Sequence, residues 1–116
     1  MNKLQRNKEI ILARRAGTKI VDLAKKYGVS ATNLSKAYYD FEFLVDRPFY
    51  DVVAGMGFSD QTGTKLVNLL RRYETMHHVD LTPEMIRDIP RWKFRSLRGA
   101  GVSIMVAFDK LQEVLR

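Results

Sequence analysis

Hydrophobic residues recur along this chain at the three- and four-residue spacing of amphipathic helices, and glycine or proline interrupts them at short intervals. Strand-like alternation of apolar and polar residues is confined to RWKFRSL at 91–97. That segment has no second strand to pair with, so we expect it to be helical too. The pattern therefore predicts an all-α chain of about seven short helices.

The N-terminal part predicts three helices, at about 5–15, about 19–27 and 31–43. Gly28 tolerates the left-handed backbone that a tight turn between the second and third helices requires. Ser30 is suited to cap the third helix, because its hydroxyl can accept an N–H of the first turn. Ala24 is small enough for two crossing helices to touch. Together these features predict a tri-helical helix-turn-helix module in residues 1–43.

The string LAKKYGVSATNLSK at 23–36 resembles the helix-turn-helix of bacterial and phage regulators and of resolvase and invertase DNA-binding domains. The resemblance spans about residues 7–43 and implies binding of double-stranded DNA, with the third helix in the major groove. One departure is Ala37, where a larger aliphatic residue is commoner. Tyr38 or Phe41 is expected to fill that space.

A helix in the major groove reads bases with its N-terminal and outward residues. The expected base-reading residues are Ala31, Thr32, Asn33, Ser35, Lys36 and Tyr39. Phosphate contacts fix the position of a protein on DNA without reading its sequence. Such contacts are expected from the basic residues around the motif, namely Arg14, Arg15, Lys19, Lys25 and Lys26.

Charge divides the chain into three parts. The whole chain carries +7 at pH 7, a basic balance that favours a nucleic-acid partner. Residues 1–40 carry +6, residues 41–60 carry −3 and residues 61–116 carry +4. We therefore predict an acidic junction at 44–60, with a short helix, between a module at 1–43 and another at 61–116. The acidic, aromatic stretch 41–58 is the candidate surface for a homodimer.

The C-terminal part ends in a Gly-x-Gly turn between two predicted helices, LRGAGVSIMVAF at 97–108. Backbone amides of such a turn, with the next helix N-terminus, form a cradle for a phosphate. The segment resembles a helix-hairpin-helix. Residues 60–116 are similar to the C-terminal domain of the bacterial RNA polymerase alpha subunit, through TKLVNLL, DLTPEMIRDIP and LRGAGVSIMVAFDKLQEVL.

This second resemblance implies phosphate contacts at Lys65, Asn68, Gly99, Gly101 and Ser103. Two departures are visible: Lys65 stands where the family has arginine, and Val102 and Ile104 flank Ser103 where the family has basic residues. Further phosphate contacts are expected from a basic helix at about 91–98, with Arg91, Lys93, Arg95 and Arg98. Arg91, Arg95 and Arg98 would share one face of that helix, while Phe94 and Leu97 pack inward.

Several classes of protein are not expected. The chain has no cysteine, which excludes disulfides, thiolate zinc sites and cysteine nucleophiles. It also has neither an apolar run long enough to span a bilayer nor a secretory signal. We therefore expect no membrane association and a cytoplasmic location in a bacterium or a phage-infected cell. No catalytic constellation, metal site or cofactor motif is recognised, so a non-enzymatic protein is expected.

The sequence thus predicts a sequence-specific transcriptional regulator. Two alternatives stay open: a protein adaptor that docks on RNA polymerase or another DNA-bound protein, and a binder of RNA or single strands through residues 91–98.

Overall fold

The computed structural model describes all 116 residues and contains eight helices and no strand, which confirms the all-α prediction. None of these helices combines the length and apolar character that crossing a membrane requires. In chain order the helices are α1 (Lys3–Arg15), α2 (Ile20–Tyr27), α3 (Ala31–Phe41), α4 (Pro48–Ala54), α5 (Asp60–His77), α6 (Pro83–Arg87), α7 (Arg91–Arg95) and α8 (Val102–Val114).

Side-chain caps begin four of the eight helices. The side chains of Ser30, Ser59 and Thr82 accept backbone N–H groups in the first turns of α3, α5 and α6. Asn2 and Gln5 form a reciprocal capping box at α1. The amide of Asn2 also donates to the Ala54 carbonyl at 2.6 Å. This bond ties the start of α1 to the end of α4.

Most of the protein packs around one large core of 24 buried hydrophobic residues, to which α4 to α8 all contribute. The rings of Phe94 and Phe108 stack there with centroids 3.9 Å apart. Beside this core lies the buried carboxylate of Glu74, which pairs with Arg47 and accepts the Leu81 N–H at 2.7 Å. Glu74 therefore joins the start of α4 and the α5–α6 loop to α5.

A second, much smaller core lies between α1, α2 and α3. Its three buried members are Ile10, Leu23 and Leu34. Half-buried side chains surround them, namely Ala13, Ile20, Ala24, Tyr27 and Val29. Ala37 is not part of this core, and Tyr38 and Phe41, which were expected to fill the space beside it, pack against the large core instead. Only Leu23 of α2 is fully buried, so α2 is held by few apolar contacts.

Helix α1 belongs to both cores. Leu4 and Ile11 face the large core, whereas Ile10 faces the small one. Asn7 lies between these faces on the helix and is fully buried, and neither polar atom of its amide has a hydrogen-bond partner. The two parts of the chain therefore share a helix.

The short helix expected within residues 44–60 is α4. The segment is built into the large core, because Leu44, Val45, Phe49, Tyr50, Val53 and Ala54 are buried there. The Tyr50 hydroxyl donates to the Leu4 carbonyl at 2.6 Å, and burial raises the pKa of Tyr50. Among the aromatic residues expected to form a homodimer surface, Phe43 alone is fully exposed.

Two helices are shorter than expected. Helix α3 ends at Phe41 instead of residue 43. Helix α7 ends at Arg95 instead of residue 98, because the chain turns through Ser96 and reaches Gly99 with φ at +95°. Arg98 therefore lies outside α7. The predicted helical face that joins Arg91, Arg95 and Arg98 does not form, although Phe94 and Leu97 are buried as expected.

Candidate nucleic-acid interface

The connection between α2 and α3 has the predicted turn chemistry. Gly28 adopts the left-handed conformation, with φ at +67°, and its N–H bonds the Ala24 carbonyl at the end of α2. Two residues later the Ser30 hydroxyl accepts the Asn33 N–H at 3.1 Å. The turn is thus specified at both ends, by a glycine that closes α2 and a serine that starts α3.

Helix α3 presents the whole predicted reading set to solvent. All six residues, Ala31, Thr32, Asn33, Ser35, Lys36 and Tyr39, are exposed. Tyr39 is 82% exposed, whereas Leu34, which packs in the small core, is 2% exposed. The Tyr39 ring therefore does not pack in either core of the protein. The arrangement leaves α3 free to contact an external surface.

Four of the five basic residues predicted to bind phosphate around this motif carry no ion pair. Arg14, Lys19, Lys25 and Lys26 are exposed, and none of them pairs with a carboxylate. Arg14 bonds only the Thr18 carbonyl at 3.4 Å, and Lys26 lies over the Tyr27 ring at 5.3 Å. Their positive charge is therefore available to a ligand.

Arg15 differs from these four residues. Its guanidinium bonds both oxygens of Asp46 at 2.9 Å and also Glu42. The hydrogen bond to Asp46 raises the pKa of Arg15, and the same contact lowers the pKa of Asp46. The guanidinium of Arg15 is thus held by two carboxylates, unlike the other four residues, and its predicted phosphate contact stays a prediction.

Helix α1 therefore neutralises much of the acidic segment. Lys8 pairs with Asp51 at 2.7 Å, as Arg15 does with Glu42 and Asp46. These carboxylates would otherwise weaken an anion-binding surface nearby. One side of α1 thus faces the acidic segment and forms ion pairs with it. The other basic side chains of α1 to α3 form no ion pair.

The predicted C-terminal phosphate residues are a mixed set. Arg91 pairs with Asp109 at 3.1 Å, and Lys93 is half-buried with its ammonium 5.7 Å from the Tyr73 ring centroid. Arg95 and Arg98 are exposed and have no acidic partner. Arg91 is therefore the one cation of the four at 91–98 that forms an ion pair, and Lys93 differs from Arg95 and Arg98 in being half-buried.

The hairpin keeps one feature of a phosphate cradle. No side chain caps α8, so the N–H groups of its first turn are left for solvent or a ligand. Gly99 needs its positive φ, whereas Gly101 has φ at −76° and open space where a Cβ would lie. A glycine at position 101 is therefore not required by the fold itself.

The predicted hairpin residues do not converge on a single pocket. A cavity of 230 Å³ is lined by Arg91, Arg95, Gly101 and apolar side chains of α8. Ser103 instead lines a separate cavity with Thr62 and Lys110. Lys65 and Asn68 are exposed on α5, and the Asn68 amide donates to the Thr64 carbonyl at 2.9 Å.

Two basic residues near α3 were not predicted. Lys3 and Arg6, on the first turns of α1, line a cleft together with Asn33 and Lys36 of α3. Their spacing of three residues places them on one helix face, which is a signal the sequence contains. The packing of that face beside α3 cannot be predicted from the sequence.

Comparison with protein-family models, curated proteins and solved structures found no match for this chain. Any function must therefore be argued from its own residues.

Proposed function

We propose that this protein binds double-stranded DNA and regulates transcription, with α3 reading bases in the major groove. One observation supports this most: the polar face of α3 is exposed, Arg14, Lys19, Lys25 and Lys26 carry no ion pair, and Glu42, Asp46 and Asp51 of the acidic segment are paired with α1. Asp22 and Asp40 are the unpaired carboxylates of α2 and α3. A helix in the major groove needs outward polar side chains for bases and basic neighbours for the two strands. Helix α3 and its surroundings supply both.

Base reading falls to the side chains on the outward face. Thr32, Ser35 and Tyr39 share one stripe of α3, at spacings of three and four residues, and Lys36 lies beside them. Threonine and serine hydroxyls contact bases or phosphates, and lysine suits guanine. Arg14, Lys19, Lys25 and Lys26 contact the backbone and contribute salt-dependent affinity rather than specificity. The α8 N-terminus, Arg95 and Arg98 add phosphate contacts from the hairpin.

The test is selection of binding sites from a random duplex library, followed by measurement of variants. An enriched motif with affinity that falls steeply as salt rises is expected. Thr32→Ala should cost about 5- to 150-fold on the selected site, which corresponds to about 1–3 kcal/mol for a base contact. Arg116→Ala, which removes an exposed cation beyond the end of α8, is the control and should leave the preference for the selected site unchanged. Equal losses for Thr32→Ala on selected and random duplexes would contradict base reading.

A second function is favoured by one observation at the hairpin. Trp92 is 72% exposed and Val102 is 82% exposed, and Arg95 has no acidic partner. Exposed apolar residues beside a free arginine suit an acidic, apolar protein surface. The adaptor alternative predicts that Arg95→Glu abolishes binding to purified RNA polymerase while DNA affinity is unchanged. If wild-type protein does not bind polymerase, the adaptor function is excluded for that partner.

A further inference from the structure

A cleft of 310 Å³ lies between the first half of α1 and one side of α3. Lys3 and Arg6 line it from α1, and Asn33, Lys36 and Asp40 line it from α3. Three cations thus face one carboxylate across a narrow opening. The cleft has the charge balance of an anion site.

The side chains of the cleft's cations form no ion pair within the protein, although the Lys3 backbone N–H donates to the Asp60 carboxylate at 3.0 Å. None of Lys3, Arg6 and Lys36 forms an ion pair, even though Asp40 lines the same cleft. No side-chain nitrogen of Arg6 bonds an acceptor, and its Nε is buried. On the same helix, Lys8 and Arg15 are both paired with carboxylates. The cleft side of α1 is therefore the side whose positive charge is not neutralised.

The cleft adjoins the reading face of α3. Asn33, Lys36 and Asp40 follow each other at spacings of three and four residues, so they form a stripe along the helix. The outward stripe of Thr32, Ser35 and Tyr39 lies next to it, and Lys36 borders both. When a helix occupies the major groove, the strand backbones lie along its flanks. The cleft stripe is one such flank.

We propose that this cleft binds a backbone phosphate of the DNA strand beside α3, an inference that rests on the proposed function. Lys3, Arg6 and Lys36 supply the charge, and the Asn33 amide supplies a neutral donor. Asn33 and Lys36 then contact the DNA backbone as well as bases. Asp40 opposes the bound phosphate and weakens its binding.

The decisive experiment compares salt titrations of duplex binding. The test variant is Lys3→Ala/Arg6→Gln, and the control is Arg87→Gln/Arg116→Gln, which removes the same charge from exposed positions outside all candidate sets. The slope of log affinity against log salt should shrink by about 0.9 in the test variant, the value of one phosphate contact. Its affinity should fall equally on selected and random duplexes. The control should keep the wild-type slope.

Asp40→Asn gives an independent readout that does not depend on removing a half-buried arginine. Loss of its negative charge should strengthen duplex binding and steepen the salt slope. Unchanged or weakened binding would overturn the cleft assignment. So would a test variant whose slope and affinity match those of the control while wild-type protein binds DNA. If wild-type protein binds no duplex at low salt, the proposed function itself fails.

Inorganic phosphate distinguishes a strand phosphate from a free anion. A titration followed by the NMR signal of the Asn33 side-chain amide should show no saturation at low millimolar phosphate, because an isolated phosphate lacks the contacts of the strand. Saturation there would make the cleft a small-anion site and overturn the strand assignment.

Discussion

The two cores of this protein differ greatly in size. The large core contains 24 buried hydrophobic residues, whereas the core beneath the candidate reading helix contains three. Helix α2 buries only Leu23, and α3 contributes Leu34 to the small core. The candidate reading residues therefore lie over the smaller of the two cores.

This difference follows from the geometry of a surface-reading helix. A helix that must present several residues outward has only one narrow face left for packing. Stability has to come from elsewhere, and here α1 and the C-terminal end of α3, through Phe41, supply it by taking part in the large core as well. Because stability is not uniform across a structure, α2 and the first turns of α3 should open more readily than the helices that pack only in the large core.

Phe94→Ala should have the largest effect. Phe94 is fully buried and stacks on Phe108, so its loss should lower the free energy of unfolding by about 3–5 kcal/mol. Helices in both regions should unfold at lower urea, because α1 links the cores. Trp92→Ala, at a position 72% exposed, is the control and should change stability by about 0.5 kcal/mol or less. If the small core persists after the large core unfolds, the small core is stable without the large one.

Leu34→Ala should have a smaller and more local effect. We expect a loss of about 2–3 kcal/mol, concentrated in α2 and α3. Native-state hydrogen exchange should show faster exchange of the α2 and α3 amides, while α5 and α8 keep their protection. If protection falls equally in all helices, the two regions unfold as one cooperative unit. Their cores would then differ in size but not in local stability.

Gly28→Ala tests the turn that sets α3 in place. Its cost should be about 1 kcal/mol, because φ at +67° is unfavourable for alanine although a Cβ would meet nothing within 4 Å. Gly101→Ala is the matched control, since that site is equally open but has a negative φ. Thermal unfolding should separate the two variants. Equal melting temperatures would mean that the C-terminal end of α2 accommodates alanine at position 28 without a loss of stability.

Asp46→Asn should have the smallest effect, which depends on pH. The Arg15 guanidinium holds the pKa of Asp46 below its ordinary value of 3.8. The ionised carboxylate therefore stabilises the fold at neutral pH, and this contribution is lost as pH falls through the lowered pKa. Because the side chain is 62% exposed, we expect about 0.5 kcal/mol or less.

The check is unfolding by urea at pH 7 and at low pH. The difference in stability between wild type and Asp46→Asn should be present at pH 7 and vanish in acid. A difference that persists in acid would assign the effect to packing rather than charge.

Sequence alone determined the helical class and the local chemistry of the turn. Helical spacing of apolar residues, Gly28 in the left-handed region and the Ser30 cap depend on neighbours a few residues away, so they are readable from the chain. The exposure of the α3 residues follows from the same spacing. These features are local and do not depend on long-range contacts.

Only the tertiary structure decided which charges are free. Arg15 and Lys25 look alike in sequence, yet Arg15 is held by Glu42 and Asp46, which lie 27 and 31 residues away. The burial of Tyr50 and the cleft shared by Lys3 and Lys36 likewise depend on how α1 packs between two cores. Local periodicity does not encode such long-range pairings, because they are set by the packing of whole helices against one another.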